Sequence, residues 1–127
     1  MIEQLIALHD LDWDSWPDDA RSKGLRWKII QSDLPNGQGS TSLGLATMDV
    51  GGMLRRHRHK PLEIYHVISG VGRIIIDNVK LPLRPGNSIF IPPNAWHESA
   101  NTGSQPLEVL FIFPSSSFDE VVYEFDG

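Results

Sequence analysis

The chain contains no cysteine. That absence excludes disulfides, thiolate nucleophiles and zinc–thiolate sites. No apolar run approaches the roughly 20 residues of a membrane span. The opening MIEQLIALHD lacks the basic start and longer apolar stretch of a secretory leader, so the protein is expected in the cytoplasm and away from membranes. Basic residues are in deficit, 11 against 16 acidic, and the net charge of -5 disfavours nucleic acid as a partner. There is no repeat of solenoid length and no low-complexity tract. What is present is 127 residues with 40% hydrophobic content, the size and composition of one folded domain spanning 1–127.

Two textures divide the chain. Ile2, Leu5, Ile6 and Leu8 have helix-like spacing, which predicts a short helix over 2–8. A polar loop with Trp13, Trp16 and Pro17 follows. From Gly24 onward, short β-branched and aromatic runs alternate with Gly, Pro, Asn and Asp breaks, the pattern of an all-β sandwich or barrel. Strands are expected near 25–32, 43–50, 53–57, 62–69, 71–77, 79–84, 88–91, 96–101 and 106–113. Asp77-Asn78 suits a tight hairpin, and Asn94 suits a left-handed turn. Pro82 marks an edge strand. After Pro114, Ser115 or Ser116 is expected to cap one helical turn, and 121–125 reads as extended.

The residues that carry chemistry lie at 57–65 and 97. His57, His59, Glu63 and Tyr65 share odd parity, and alternate side chains of a strand face one side. Two imidazoles, a carboxylate and a phenol are therefore aimed together. With His97 they form an all-nitrogen-and-oxygen set suited to a divalent transition metal. Six-coordinate Mn, Fe, Ni or Co would keep two open positions, whereas zinc favours four ligands; the residues alone do not choose among them. His66 has the opposite parity and is expected to point away.

The residues from Gly51 to Gly70 match the pattern G-x5-H-x-H-x3-E-x6-G at Gly51, His57, His59, Glu63 and Gly70. Those from Gly86 to Asn101 match G-x5-P-x-G-x2-H-x3-N at Gly86, Pro92, His97 and Asn101, with Asn94 in place of the second glycine. On these two motifs the chain resembles the cupins. The resemblance implies a double-stranded β-helix, the jelly-roll barrel, with its core over about 24–114, a short N-terminal helix and a small C-terminal extension. It implies a metal held by His57, His59, Glu63 and His97 in the barrel mouth, a small-molecule substrate, and a homodimer.

The longer pattern H-x-H-x-P-x-E-x-Y, here His57, His59, Pro61, Glu63 and Tyr65, is similar to that of the cupin-type dimethylsulfoniopropionate lyases. So are GLRWKII (24–30), SLGLATMDVGG (42–52) and IFPSSSFDEVVYEF (112–125). This narrower resemblance implies Tyr65 as catalytic base and Tyr123 as a second catalytic or positioning phenol in a β-elimination to acrylate and a thioether. Trp27, Phe90, Trp96, Phe111 and Tyr123 are aromatic faces available to a sulfonium. A metal-dependent dioxygenase or isomerase, and a non-catalytic binding cupin, are the alternatives on the same scaffold. Arg55, Arg56, Arg58 and Lys60 read as a solvated rim, and Trp13 and Trp16 as loop anchors or dimer contacts.

Overall fold

The computed structural model describes residues 4–32 and 40–127. Among the described residues there are nine strands: β1 (Ser22–Gln31), β2 (Ser42–Arg58), β3 (Glu63–Ser69), β4 (Gly72–Ile76), β5 (Val79–Leu83), β6 (Ser88–Ile91), β7 (His97–Asn101), β8 (Leu107–Phe113) and β9 (Glu124–Phe125). All pairings are antiparallel, in the order β5-β4-β7-β2-β8-β3-β6, with β1 and β9 added on β2. The long β2 belongs to two leaves. Its first half pairs with β8 through Ser42–Met48, and its second half pairs with β7 through Met53–His57. The result is a curled sheet that closes on an apolar interior, the expected jelly-roll architecture.

Strand alternation makes that interior. In β8, Leu107, Val109, Phe111 and Phe113 are buried, while the residues between them are half-exposed. Val67, Ile74, Leu83 and Ile91 join Phe113 with almost no exposure. Each such side chain contributes roughly 1.5–3 kcal/mol by leaving water. Asp77 (φ 44) and Asn78 (φ 71) form the hairpin between β4 and β5, and Asn94 takes φ 60, the left-handed turn that its motif position requires. Pro82 lies on β5, an edge of the sheet.

Three expectations are corrected. The segments 43–50 and 53–57 are one strand, because Gly51 (φ 78) and Gly52 bend β2 without interrupting it. The helix over 2–8 is absent from the residues described there. Residues 1–3 lie outside the described ones, and the first regular feature is a single 3-10 turn at Leu8–Asp10. Leu5 is 80% exposed, so the apolar spacing has no core to pack against, and a segment this short does not repay helix nucleation. Near the C-terminus the turn is a 3-10 turn at Phe118–Glu120. Its cap is Ser117, whose hydroxyl accepts from the Asp119 backbone N–H, and not Ser115 or Ser116.

Two motif glycines carry different constraints. Gly70 has φ +82, and a Cβ there would lie 2.4 Å from the Pro106 carbonyl oxygen; Gly51 has φ +78 with nothing within 4 Å. Gly51→Ala is therefore expected to cost only the left-handed penalty, about 1–2 kcal/mol. Gly70→Ala adds a backbone clash, raising the loss to roughly 3 kcal/mol or more. Denaturant titration of the two variants checks this, and equal losses would remove the distinction.

Candidate metal centre

Three strands and one loop bring the polar groups together. His57 lies near the end of β2, and His59 sits just beyond it in the loop to β3. Glu63 opens β3, and His97 opens β7 directly opposite His57. The shared parity of 57, 59, 63 and 65 thus holds across a strand end, a loop and a second strand, not along one continuous strand. A bulge supplies the missing register. Pairing of β2 with β7 shifts between Leu54 and His57, which lets residues three apart both face inward.

Each imidazole is oriented by a backbone carbonyl. Nδ1–H of His57 donates to Arg55 O at 2.7 Å, that of His59 to Pro61 O at 2.9 Å, and that of His97 to Ala95 O at 2.9 Å. A carbonyl only accepts, so the proton stays on Nδ1 and each Nε2 presents a lone pair. The Nε2 atoms of His57 and His97 are buried without a hydrogen-bond partner. His59 Nε2 lies 3.1 Å and His97 Nε2 3.6 Å from Glu63 Oε1. Among the described residues, His57, His59 and His97 form a group whose donor atoms lie within 4.8 Å of one another. Orphaned lone pairs converging beside a buried carboxylate are an arrangement that could hold a metal, and every donor has the right chemistry for a divalent cation. The tethering of the second ring nitrogen is the usual means of fixing a ligating tautomer.

Electrostatics follow from the burial. Desolvation and the neighbouring His97 push His57 down to about 3, so its ring is neutral at ordinary pH. Burial pushes Glu63 up, but the neighbouring His59 and His97 imidazoles outweigh it and hold it below its ordinary value. Burial, then the Glu63 charge, drives the Tyr65 phenol well above 10, with Ser99 opposing. Burial, then Glu63 and Tyr65, does the same to Tyr123.

A chamber of about 50 Å³ adjoins these groups, with Glu63, Tyr65, Ser99 and Tyr123 as its polar lining. Its walls are apolar and aromatic, including Trp16, Trp27, Phe111 and Phe118. Space on this scale suits a compact molecule of a few heavy atoms, since one water needs roughly 10–15 Å³ by the same measure. Of the aromatic faces expected from sequence, Trp27, Phe111 and Tyr123 line the chamber. Phe90 does not, being 57% exposed on the outside. Trp96 carries Arg56 and Arg58 on its ring, at 5.3 and 4.5 Å, and is occupied. Trp16, read from sequence as a loop anchor or dimer contact, is a chamber wall. It meets Trp27 at 4.9 Å and Tyr123 at 5.3 Å. No periodicity marks Trp16; the signal is the Asp14–Trp27 bridge, a pairing invisible in the sequence. His66 faces outward against Ser88 Oγ at 2.8 Å.

The C-terminal segment covers the site. β9 pairs with His57 and Arg58, and the Tyr123 ring rests 5.2 Å from both the His57 and the His59 rings. Arg58 and Arg56 are not a free rim, because they pair with Glu124 at 2.9 Å and Asp126 at 3.2 Å. These exposed pairs add little stability each, but they fix the register of the tail.

Comparison with known proteins agrees with this fold. The cupin domain model matches residues 44–113. The chain belongs to the cupin family. Its relatives include the dimethylsulfoniopropionate lyase DddW of Ruegeria pomeroyi, 33% identical over 101 residues, covering 80% of this chain and 66% of the lyase. The gentisate 1,2-dioxygenase of a Ralstonia species is 32% identical over 89 residues, covering 67% of this chain and 25% of that enzyme. The chain thus spans just under two thirds of the lyase and a quarter of the dioxygenase. Among solved structures, a cupin-2 domain protein of Rhodospirillum rubrum superposes with a TM-score of 0.80 at 13% identity, covering 99% of this chain and 82% of the other.

Acid should weaken the metal-free protein. A histidine held near 3 when folded and near 6.5 when unfolded takes up protons on unfolding between those values. Glu63, depressed in the fold, acts in the same direction. Stability is expected to be flat above about pH 6.5 and to fall as the pH drops toward 3. His57→Ala should flatten that slope. Thermal melts across pH check both, and an unchanged slope would refute the assignment to His57.

Proposed function

We propose that the protein is a metal-dependent lyase that eliminates a thioether from dimethylsulfoniopropionate or a similar small carboxylate. The observation that carries this reading is the juxtaposition in one compact chamber of Glu63 with two phenols, the buried Tyr65 and the half-buried Tyr123, beside three inward-facing imidazoles. His57, His59, His97 and Glu63 would hold a divalent ion of the Mn, Fe, Ni, Co or Zn group. When bound, that ion supplies Lewis acidity to a substrate carboxylate and positive charge that favours the ionised phenol.

Tyr65 is the base in this reading. Its phenolate takes the α-proton, the C–H electron pair forms the new double bond, and the Cβ–S bond breaks with its pair on sulfur. Acrylate and a neutral thioether result, and Tyr65 then returns its proton to solvent. Without a cation, burial and Glu63 keep this phenol protonated, so the base is latent in the metal-free chain. Tyr123 stands across the chamber, next to His57 and His59, and positions the substrate or shares the proton. Trp16, Trp27, Phe111 and Phe118 supply π faces and exclude water; a sulfonium against such faces gains roughly 0.5–2 kcal/mol. DddW, the lyase relative, supports this choice of reaction.

The dioxygenase relative favours a second reading on the same donors, oxygen-dependent cleavage of a different substrate. Anaerobic incubation separates the two, because the elimination consumes no oxygen. Headspace dimethyl sulfide from dimethylsulfoniopropionate under nitrogen is the expected result. Tyr65→Phe should retain its metal by elemental analysis while turnover falls at least about a hundredfold, the usual weight of a general base. Full turnover in that variant, or no thioether from the metal-loaded parent, would remove the lyase reading.

A further inference from the structure

The chamber has an outer neighbour. An open recess of about 470 Å³ lies beside it, lined by Trp16, Ala20, Arg21, Val121, Tyr123 and Phe125 together with Gly127. The two spaces share Trp16 and Tyr123 and no other lining residue. These rings meet edge to face, with centroids 5.3 Å apart and planes at 75°. They are the partition between inside and outside. One comes from the loop before β1, and the other from the tail that lies along β2.

Charge gives the recess a chemistry. Arg21 is the one cationic side chain among its lining residues, and no acidic side chain lines it. Its guanidinium stands 5.9 Å over the Trp16 ring. Among the described residues, Arg21 forms none of the ion pairs that engage Arg26, Arg56, Arg58 and Arg73. The protein as a whole carries -5, so an approaching anion is repelled over most of the surface. A cationic side chain lining the recess beside an apolar chamber offers an anion a local partner.

We infer that the recess is an antechamber in which Arg21 captures small carboxylates, and that Trp16 and Tyr123 form the partition these molecules pass to reach the inner chamber. The identity of the carboxylate rests on the lyase reading above; the capture of anions does not. Arg21 is a recruiting residue and touches no reacting atom. Its main-chain carbonyl accepts from Arg55 N–H at 2.9 Å, a bond that side-chain substitution leaves in place.

The test uses propionate and its neutral isostere propionamide as probes. Each is titrated into ¹⁵N-labelled, zinc-loaded protein while the Trp16 indole N–H resonance, assigned through Trp16→Phe, is followed. Arg21→Ala is expected to weaken propionate binding about tenfold at low salt and to leave propionamide unaffected. The difference should shrink toward 1 M salt, where screening is nearly complete over about 3 Å. Arg21→Lys should retain most of the propionate affinity. In turnover, the loss in Arg21→Ala should fall on kcat/KM and not on kcat. Propionate binding that is equal in parent and Arg21→Ala at low salt would overturn the inference, even if the protein eliminates thioether normally. Arg21-dependent binding in a protein that never releases thioether would uphold the antechamber and end the lyase reading.

Discussion

Everything at this site depends on three hydrogen bonds that point away from it. His57, His59 and His97 each spend Nδ1–H on a carbonyl two residues distant in the chain. That bond settles the tautomer and holds each ring at one angle. It also leaves the Nε2 lone pairs of His57 and His97 unpartnered in a space from which water is largely excluded. Burying unpartnered acceptors is unfavourable by roughly 1–3 kcal/mol apiece. A barrel tolerates such a cost where its polar groups have work beyond stability, and here the cost is met by the apolar packing of Val67, Ile74, Ile91 and Phe113 around them.

The fold builds a walled chamber around that local order through two departures from regular strand structure. The bulge before His57 keeps Leu54 as chamber wall and still turns the imidazole inward. The tail then lays Tyr123 across two of the imidazoles, held by two residues of pairing and by Arg58 and Glu124. Aromatic contacts continue outward from Tyr123 to Trp16 and Phe125, so the wall of the chamber and its covering segment are one packed cluster.

Much of this was legible in the chain. The spacing of glycine, histidine and glutamate in the two motifs pointed to the scaffold and to four polar side chains, His57, His59, Glu63 and His97, that the structure brings together. Asn94 was readable as well, since its left-handed backbone is accessible to asparagine. What could not be read depended on distant contact. The unbroken course of β2 is decided by its neighbours β1, β7 and β8, not by the glycines within it. The place of Trp16 follows from a two-residue bridge to a strand. The outward stacking of Trp96 follows from arginines that the tail holds in position. The N-terminal apolar spacing misled because periodicity reports a face and is silent on whether anything lies opposite.

The two leaves are fastened differently at their two ends. Far from the histidines, the Asn101 amide on β7 donates to the Met48 carbonyl on the other half of β2 and to Gln105 O, and its oxygen accepts from Gly103 N–H. That is a permanent rivet made from the chain's own atoms. At the histidine end, the groups facing each other across the leaves are His97 and Glu63, and acceptors cohere only through whatever proton or ion lies between them. One end of the sandwich is therefore fastened by hydrogen bonds within the chain, and the cohesion of the other is delegated to whatever sits between His97 and Glu63.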